Sequence, residues 1–409
     1  MGARALRPER LIYVESRMRI AFYAPLKPPT HATPSGDRRV ARLLLQALQI
    51  AGHDPRLASD FRSFDGTGDA LRQERLRAEG AEIADVLLKQ WRNGPATERP
   101  ELWFSYHLYY KAPDWLGPPL SAALGIPYVL AEASYAPKRS GGAWAIGHDA
   151  TRSAIAAAAV VFCPTRDDLA CVRMVASEHA RVEQLAPFLD PALYRMAAQS
   201  RVRHRMAVAA AEGMDSGLPW LLVPAMMRFG DKLASYRMLA DALLLLAAVP
   251  WELVVAGDGP ARAEVEHLLA AAAPGRVRYL GLCGQDAMAR LYAACDLCIW
   301  PAVNEAYGMA MLEAQAAGLP VVSCAVRGVP DVVCDGLTGL LAAPGDTRGL
   351  ADNARRLLRD APRRAAMGQA AARFVDQQRS TTHAAGHLNL AFATLRTHAP
   401  MTIAKEAAT

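Results

Sequence analysis

The sequence predicts an α/β protein made of two doubly wound parallel-sheet domains in series. Three observations carry this. Short apolar runs alternate with longer amphipathic stretches along most of the chain. A polar, basic, Ala-rich stretch at 196–217 interrupts the alternation and reads as a linker. The 409 residues, 52% hydrophobic and 21% charged, are enough for about two to three domains with ample core.

The elements follow in order. In the first half, strands are expected at 19–24, 102–106, 128–131, 160–163 and 182–186. The first four are short apolar runs rich in aromatic or β-branched residues. Helices are expected at 37–51, 70–91, at 121–124 with the residues before it, and at 166–175. In the second half, strands are expected at 220–224, 252–256, 277–280, 297–300 and 321–324. Helices follow at 233–248, 261–272, 286–294 and 308–317. Gly318 and Pro320 stop the last of these. A long amphipathic tail runs from 347 to 396, and the last residues fray.

Composition narrows the function. The net charge of +6 favours an anionic ligand or surface. No dense Lys/Arg stripe carries interleaved aromatics, so nucleic acid is not an expected partner. No apolar run reaches the ~18 residues that a membrane span needs. Residues 1–17 are Arg-rich and lack the apolar stretch of a signal peptide. The seven cysteines lie mostly in apolar runs, and Cys295 and Cys298 form a CxxC without a partner pair. Buried small residues in a reducing cytoplasm are the expectation, with no metal site.

In sheets of this kind, ligands bind beyond the carboxyl ends of the strands. Two such domains would face each other across a cleft, so each post-strand loop is a candidate. After the first strand, Gly36 opens a helix, where backbone can approach an anion or simply make a turn and cap. Arg228 and Lys232 follow the strand at 220–224. They suit a diphosphate, one as a fork and one as a point charge, or they are a solvated turn. Gly257-Asp258-Gly259-Pro260 makes a tight turn. Gly281, Cys283 and Gly284, after another strand, could offer backbone edges to a base.

The last loop is the sharpest. Glu305 follows an apolar strand, and Glu313 stands in a helix otherwise made of Met, Ala, Leu and Gln. A carboxylate in such a helix is costly unless something hydrogen-bonds to it. The helix starts near Gly308, so the amides of Gly308, Met309 and Ala310 make a phosphate or hydroxyl site. Glu313 lies about five residues on, or ~7.5 Å. A carboxylate there can accept two ribose hydroxyls, or it can pair with a nearby Arg.

Residues 219–346 resemble the donor domain of retaining family-4 glycosyltransferases (glycosyl transferases group 1), which have the GT-B fold. The matching text is Met227-Arg228 with Lys232, Ala256-Gly257-Asp258-Gly259-Pro260, Val277 to Gly281, Cys295-Asp296, and the two glutamates seven residues apart. It continues through Gly318-Leu319-Pro320-Val321-Val322 and Asp335-Gly336-Leu337-Thr338-Gly339. The first half matches more loosely, at Ser35-Gly36 and Ala51-Gly52-His53.

The resemblance implies a nucleotide-sugar donor, UDP- or GDP-linked, and transfer with retention and no obligatory cofactor or metal. Arg228 and Lys232 would hold the diphosphate. Glu313 would hold the ribose, and Glu305 with the backbone of Tyr307, Gly308, Met309 and Ala310 the sugar. Gly36 would reach the diphosphate, and Leu282 is a further donor-binding candidate. Many relatives carry a histidine after the strand at 128–131, where this chain has Glu132 and Ser134. Those two, with His107, are the acceptor-side candidates. The acceptor itself is a saccharide, lipid or small molecule.

The implied organisation is an extension at 1–17, a Rossmann-like acceptor domain at 18–200, and a donor domain at 218–375. A helix packing back toward the first domain, and a tail, follow at 376–409. Peripheral contact with the inner face of a membrane is implied by the charge together with the family. The rival readings are a GT-B sugar-nucleotide epimerase and a non-catalytic nucleotide-sugar or polyanion binder.

Overall fold

The computed structural model describes residues 17–33 and 35–396. The expectations for residues 1–16 and for the tail beyond 396 lie outside the described residues. Two compact units emerge. Of the described residues, one gathers 17–163 apart from residue 34, 168–185 and 381–396, and the other Pro164–Asp167 and Ala186–Ser380.

Unit 1 is a sheet of six parallel strands: β1 (Arg19–Tyr23), β2 (Asp54–Ser59), β3 (Leu102–Leu108), β4 (Tyr128–Ala133), β5 (Val160–Cys163) and β6 (Arg181–Gln184). The connecting helices are α1 (Gly36–Ile50), α2 (Ala70–Asn93), α3 (Gly117–Leu124), α4 (Ala145–Ala157) and α5 (Arg166–Arg173). The spatial order is β2-β1-β3-β4-β5-β6, so the order reverses between β1 and β3. The central strands β1, β3, β4 and β5 are almost wholly buried, as parallel strands covered on both faces must be. Phe22 stacks on Phe104 with ring centroids 5.8 Å apart.

Unit 2 begins with α6 (Ala192–Gln199) and α7 (Arg201–Glu212). Its strands are β7 (Trp220–Pro224), β8 (Glu252–Ala256), β9 (Val277–Gly281), β10 (Leu297–Ile299), β11 (Val321–Cys324) and β12 (Gly339–Ala342). Helices α8 (Asp231–Leu244), α9 (Arg262–Ala272), α10 (Gln285–Ala294), α11 (Met309–Ala316) and α12 (Val329–Val332) connect them. Then α13 (Thr347–Arg359) and α14 (Ala361–Gln378) close the unit. All pairings are parallel, in the order β12-β11-β10-β7-β8-β9, with the reversal between β7 and β10. The last helix, α15 (Thr381–Arg396), returns to unit 1 and packs on α1.

Three expectations are corrected. The stretch read as a linker contains α7, which Arg201 and Arg205 tie to Asp296 at the entry of β10. Its basic residues are anchors, and polarity misled. The edge strands β2 and β12 escaped the sequence reading. Asp54, Pro55 and Arg56 do not look like a strand, but an edge strand tolerates proline and charge. Strands β3 and β4 run past 106 and 131, so His107 and Glu132 lie in the strands. The amphipathic tail from 347 divides into three helices, α13, α14 and α15.

Candidate functional site

A reversal of strand order leaves a crevice at the carboxyl ends of the two strands that flank it. In unit 2 those strands are β7 and β10; the loop after β7 carries Arg228 and leads into Lys232 at the start of α8, and the loop after β10 carries Glu305.

The loop after β7 is shaped by close backbone contact. Gly257 and Gly259 have φ of +155° and +154°, and a Cβ on them would stand 1.9 Å from the Ala225 carbonyl and 2.3 Å from the Met227 carbonyl. Met227 N donates to Asp258 O at 3.0 Å, and Ala261 N to Met227 O at 2.9 Å. The glycines therefore press the 257–260 turn against the 225–227 backbone, which is the tight-turn role expected of them. Arg228 follows, exposed and without an ion pair or hydrogen bond to the described residues. Gly230 then turns into α8 with φ +78°.

Lys232, on the first turn of α8, meets Glu305 at 2.5 Å. The ammonium also lies 5.4 Å from the Trp300 ring centre, within cation–π reach. The sequence reading gave the two residues to opposite ends of a ligand, and the structure joins them in one ion pair. The loop that carries Glu305 is held at several points. Val303 N donates to the buried Ser235 hydroxyl at 3.0 Å. Asn304 bonds Asp231 at 2.8 Å and accepts from Arg327 at 3.0 Å. Ala302 and Asn304 both have positive φ, 61° and 54°. Such strain persists only where the surroundings impose it, and it gathers at ligand-binding loops. Gly328 backs the loop, since a Cβ there would lie 2.0 Å from the Ala306 carbonyl. Neither Arg327 nor Ser235 had a signal in the sequence, because each acts through tertiary contact.

Helix α11 starts at Gly308, in the left-handed region at φ +78°, and no side chain caps it. The first-turn amides of Met309 and Ala310, both half-buried, carry the positive end of the helix dipole. Tyr307 is half-buried beside them. Glu313 is buried, 8% exposed, and accepts from the Tyr292 hydroxyl at 3.0 Å. Burial, then the Glu313 charge, push the Tyr292 pKa far up, so the phenol stays a donor. One partner of the buried carboxylate is thus a tyrosine of α10. Leu282, just past β9, is 70% exposed.

Unit 1 presents its own cluster at the reversal between β1 and β3. His107 and Glu132 are side by side in the parallel register, between the pairs Tyr106–Ala131 and Leu108–Ala133. Both are left-handed, at φ 57° and 60°. His107 Nδ1 lies 3.1 Å from Asp37 Oδ1 and 3.3 Å from Glu132 Oε1. Burial opposes a charged imidazole, but Glu132, Asp37 and Asp168 outweigh it, and the His107 pKa is raised. His107 in turn, through a hydrogen bond and its charge, lowers the Asp37 pKa against burial. Sequence reasoning missed Asp37. It stands in the first turn of α1, next to Gly36, which has open space where a Cβ would go. Ser35 caps that helix by accepting from Arg38 N at 3.2 Å. Ser134 is half-buried, one residue past β4.

Among the described residues, no group of three or more His, Cys, Asp or Glu forms a metal cluster. The seven cysteines are free, and burial pushes the Cys298 thiol up to about 12. No described helix is long and apolar enough to cross a membrane.

Comparison with known proteins bears on both units. Residues 225–360 match the family model described as Glycosyl transferases group 1. Unit 2 holds a glycosyl transferases group 1 domain. Among curated relatives, a D-inositol 3-phosphate glycosyltransferase of Salinispora tropica is 34% identical over 209 residues, 48% of this chain and 43% of the relative. An N-acetyl-alpha-D-glucosaminyl L-malate synthase of Bacillus anthracis is 36% identical over 135 residues, 33% of this chain and 35% of the relative. The chain thus spans less than half the length of these relatives.

Solved structures cover far more of it. A glycosyltransferase from Rickettsia africae matches with a TM-score of 0.70 over 94% of this chain and 100% of its own, at 14% identity. HepE from Anabaena, solved with UDP and glucose, matches with a TM-score of 0.66 over 92% of this chain and 100% of its own, at 15% identity. At that identity the likeness shows the fold: GT-B, with two Rossmann-like α/β units. The glycosyltransferase domain contains Arg228, Lys232, Glu305 and Glu313 within its matched residues.

Proposed function

We propose that the protein is a glycosyltransferase that moves a sugar from a nucleoside diphosphate-sugar to an acceptor hydroxyl with retention of configuration. The observation that carries the proposal is the Lys232–Glu305 pair at the β7/β10 reversal, flanked by the unpaired Arg228 and the uncapped start of α11. A diphosphate is the ligand that a guanidinium, an ammonium and free helix amides suit together. HepE, a fold neighbour, was solved with UDP and glucose, which supports a UDP-sugar as the first donor to test.

As the anomeric C–O bond breaks, negative charge grows on the diphosphate and positive charge on the sugar. Arg228, Lys232 and the amides of Met309 and Ala310 stabilise the first. Losing one such contact costs about 2.7–4 kcal/mol of barrier in comparable sites. Glu305, held by Lys232, faces the second. The leaving phosphate oxygen takes the acceptor proton on the same face, and the charge is carried by the chain's own cations without a metal or cofactor. Glu313 takes the ribose hydroxyls and Leu282 lies against the base, while the open backbone at Gly36 in unit 1 suits an anion. His107, Glu132 and Ser134 serve the acceptor.

Calorimetry with UDP- and GDP-sugars, followed by an assay of donor hydrolysis, tests the reading. Wild-type protein should bind one of them and release the nucleoside diphosphate slowly. Arg228→Ala should keep the fold and lose at least tenfold in turnover. Binding without any hydrolysis or transfer would leave only a nucleotide-sugar binder.

A further inference from the structure

Beside the His107 cluster, unit 1 carries an aromatic platform with cations over its rings. Tyr109, Tyr110 and Trp144 form a chain of ring contacts, with centroids 5.3 and 5.7 Å apart at steep angles. Lys111 Nζ lies 4.5 Å from the Trp144 ring centre and 5.9 Å from that of Tyr110. The Arg139 guanidinium lies 5.5 Å from the Tyr110 ring centre. Among the described residues, neither Lys111 nor Arg139 has a carboxylate partner. Most other arginines of the unit that lie near its sheet are tied to a carbonyl or a carboxylate, as Arg19, Arg38, Arg42 and Arg181 are.

The platform is built, not incidental. The Trp144 indole donates to Asp65 O at 3.0 Å, and Asp65 N donates to Lys111 O at 2.8 Å. Gln73 bridges the same corner, donating to Ala143 O at 2.8 Å and accepting from Gly147 N at 3.2 Å. A Cβ on Gly147 would lie 2.1 Å from the Tyr110 carbonyl, so α4 starts directly against the platform's backbone. Three chain segments therefore lock the rings before any ligand arrives. The first-turn amides of α4 at Ala145 and Gly147 are already bonded, to Gly142 O and to Gln73. Recognition of charge falls to the side chains.

Aromatic faces suit the apolar C–H face of a sugar or cyclitol ring, and two cations held over rings without counter-charges suit an anion beside it. His107, 5.6 Å from the Tyr109 ring, joins the platform to the Asp37–His107–Glu132 cluster, which offers acceptors to hydroxyls. We propose that Tyr110, Trp144, Lys111 and Arg139 form an acceptor subsite for a phosphate-bearing sugar or cyclitol, free or as a lipid headgroup. The proposal rests on the glycosyltransferase reading for its purpose, but its test is independent of the donor.

Glucose, glucose 6-phosphate, and vesicles of phosphatidylinositol or of phosphatidylcholine are titrated against the full chain, reading tryptophan fluorescence and vesicle co-sedimentation. Glucose 6-phosphate or phosphatidylinositol vesicles should bind roughly tenfold or more tightly than glucose or phosphatidylcholine, the gain of a charged hydrogen bond. Which of the two binds names the source. The double variant Lys111→Gln/Arg139→Gln should lose that preference, keep its circular dichroism and keep its donor affinity. Equal binding of the charged and neutral probes, or an unchanged preference in the double variant, overturns the subsite. Absence of nucleotide-sugar binding and of turnover in the wild-type chain, with the phosphate preference intact, would strike the functional reading alone.

Discussion

At the scale of the residue, Glu313 was legible because it breaks the composition of its helix. A buried carboxylate needs donors, and the structure supplies the Tyr292 hydroxyl. That contact separates two roles. Glu313→Gln keeps an acceptor for Tyr292 and removes the charge, so the fold should hold while donor affinity falls by roughly tenfold or more. Tyr292→Phe should cost about 1–2 kcal/mol of stability and leave the donor affinity near wild type. Calorimetry and thermal melting of the two variants give the comparison. Equal donor affinity in Glu313→Gln and wild type would reduce the residue to a partner for Tyr292. His107 offers a second residue-scale prediction. Its pKa is raised by Glu132, Asp37 and Asp168 against burial. The stabilising charge is therefore fully present below the ordinary histidine value of about 6.5 and fades as the pH climbs through the raised value. Asparagine tolerates the left-handed backbone at this position. The stability gap between wild type and His107→Asn in urea melts should narrow from pH 5.5 to 9. A gap that stays constant would mean that the imidazole is not held charged.

At the scale of the element, the strands and helices with strong apolar patterns were readable, and those defined by their neighbours were not. Helix α7 shows why. It has no buried residue of its own, and its stretch is rich in arginine. It stands because Arg201 and Arg205 grip Asp296 at 2.7 and 2.8 Å, while Arg205 lies 4.1 Å from the Trp220 ring centre. Asp296 also accepts from Trp220 N at 2.8 Å. One carboxylate thus joins α7, β7 and the entry to β10. Removing one partner of a largely buried pair costs about 3 kcal/mol or more. Asp296→Ala should lower the melting temperature of unit 2 by about 6–12 °C, using ~2–4 °C per kcal/mol for a domain of this size. Calorimetric scanning measures it, and a shift under about 2 °C would show that α7 does not depend on the pair. The same blindness hid Asp37, Ser235 and Arg327. Each looks ordinary in sequence and gains its role from a partner many residues away.

At the scale of the whole molecule, both sheets were expected, but their strand orders were not, because order is set by which crossover packs where. The two units differ in this respect. Unit 1 reverses between β1 and β3, unit 2 between β7 and β10. Both reversals fall beside the loops that carry the candidate residues, since a reversal is what opens a crevice there. The chain also returns at its end, as α15 belongs to unit 1 after the whole of unit 2 has been traversed. Unit 1 is therefore incomplete without a segment that is far away in sequence. The segment carries real core: Leu388 and Phe392 are at most 1% exposed, and Phe392 packs 6.4 Å from Phe104 and 5.4 Å from His53, ring centre to ring centre. His387 adds a 2.9 Å contact to Glu183 on β6. Burying Leu388 and Phe392 contributes about 3–6 kcal/mol, a large share of the ~5–15 kcal/mol that holds a domain. A chain that stops after Ser380 should therefore lose the melting transition of unit 1 or show it at much lower temperature. In limited proteolysis, cleavage should fall within residues 17–163 while a fragment spanning 186–380 persists. Two transitions unchanged from those of the full chain would mean that α15 is an accessory to unit 1 and not part of its core.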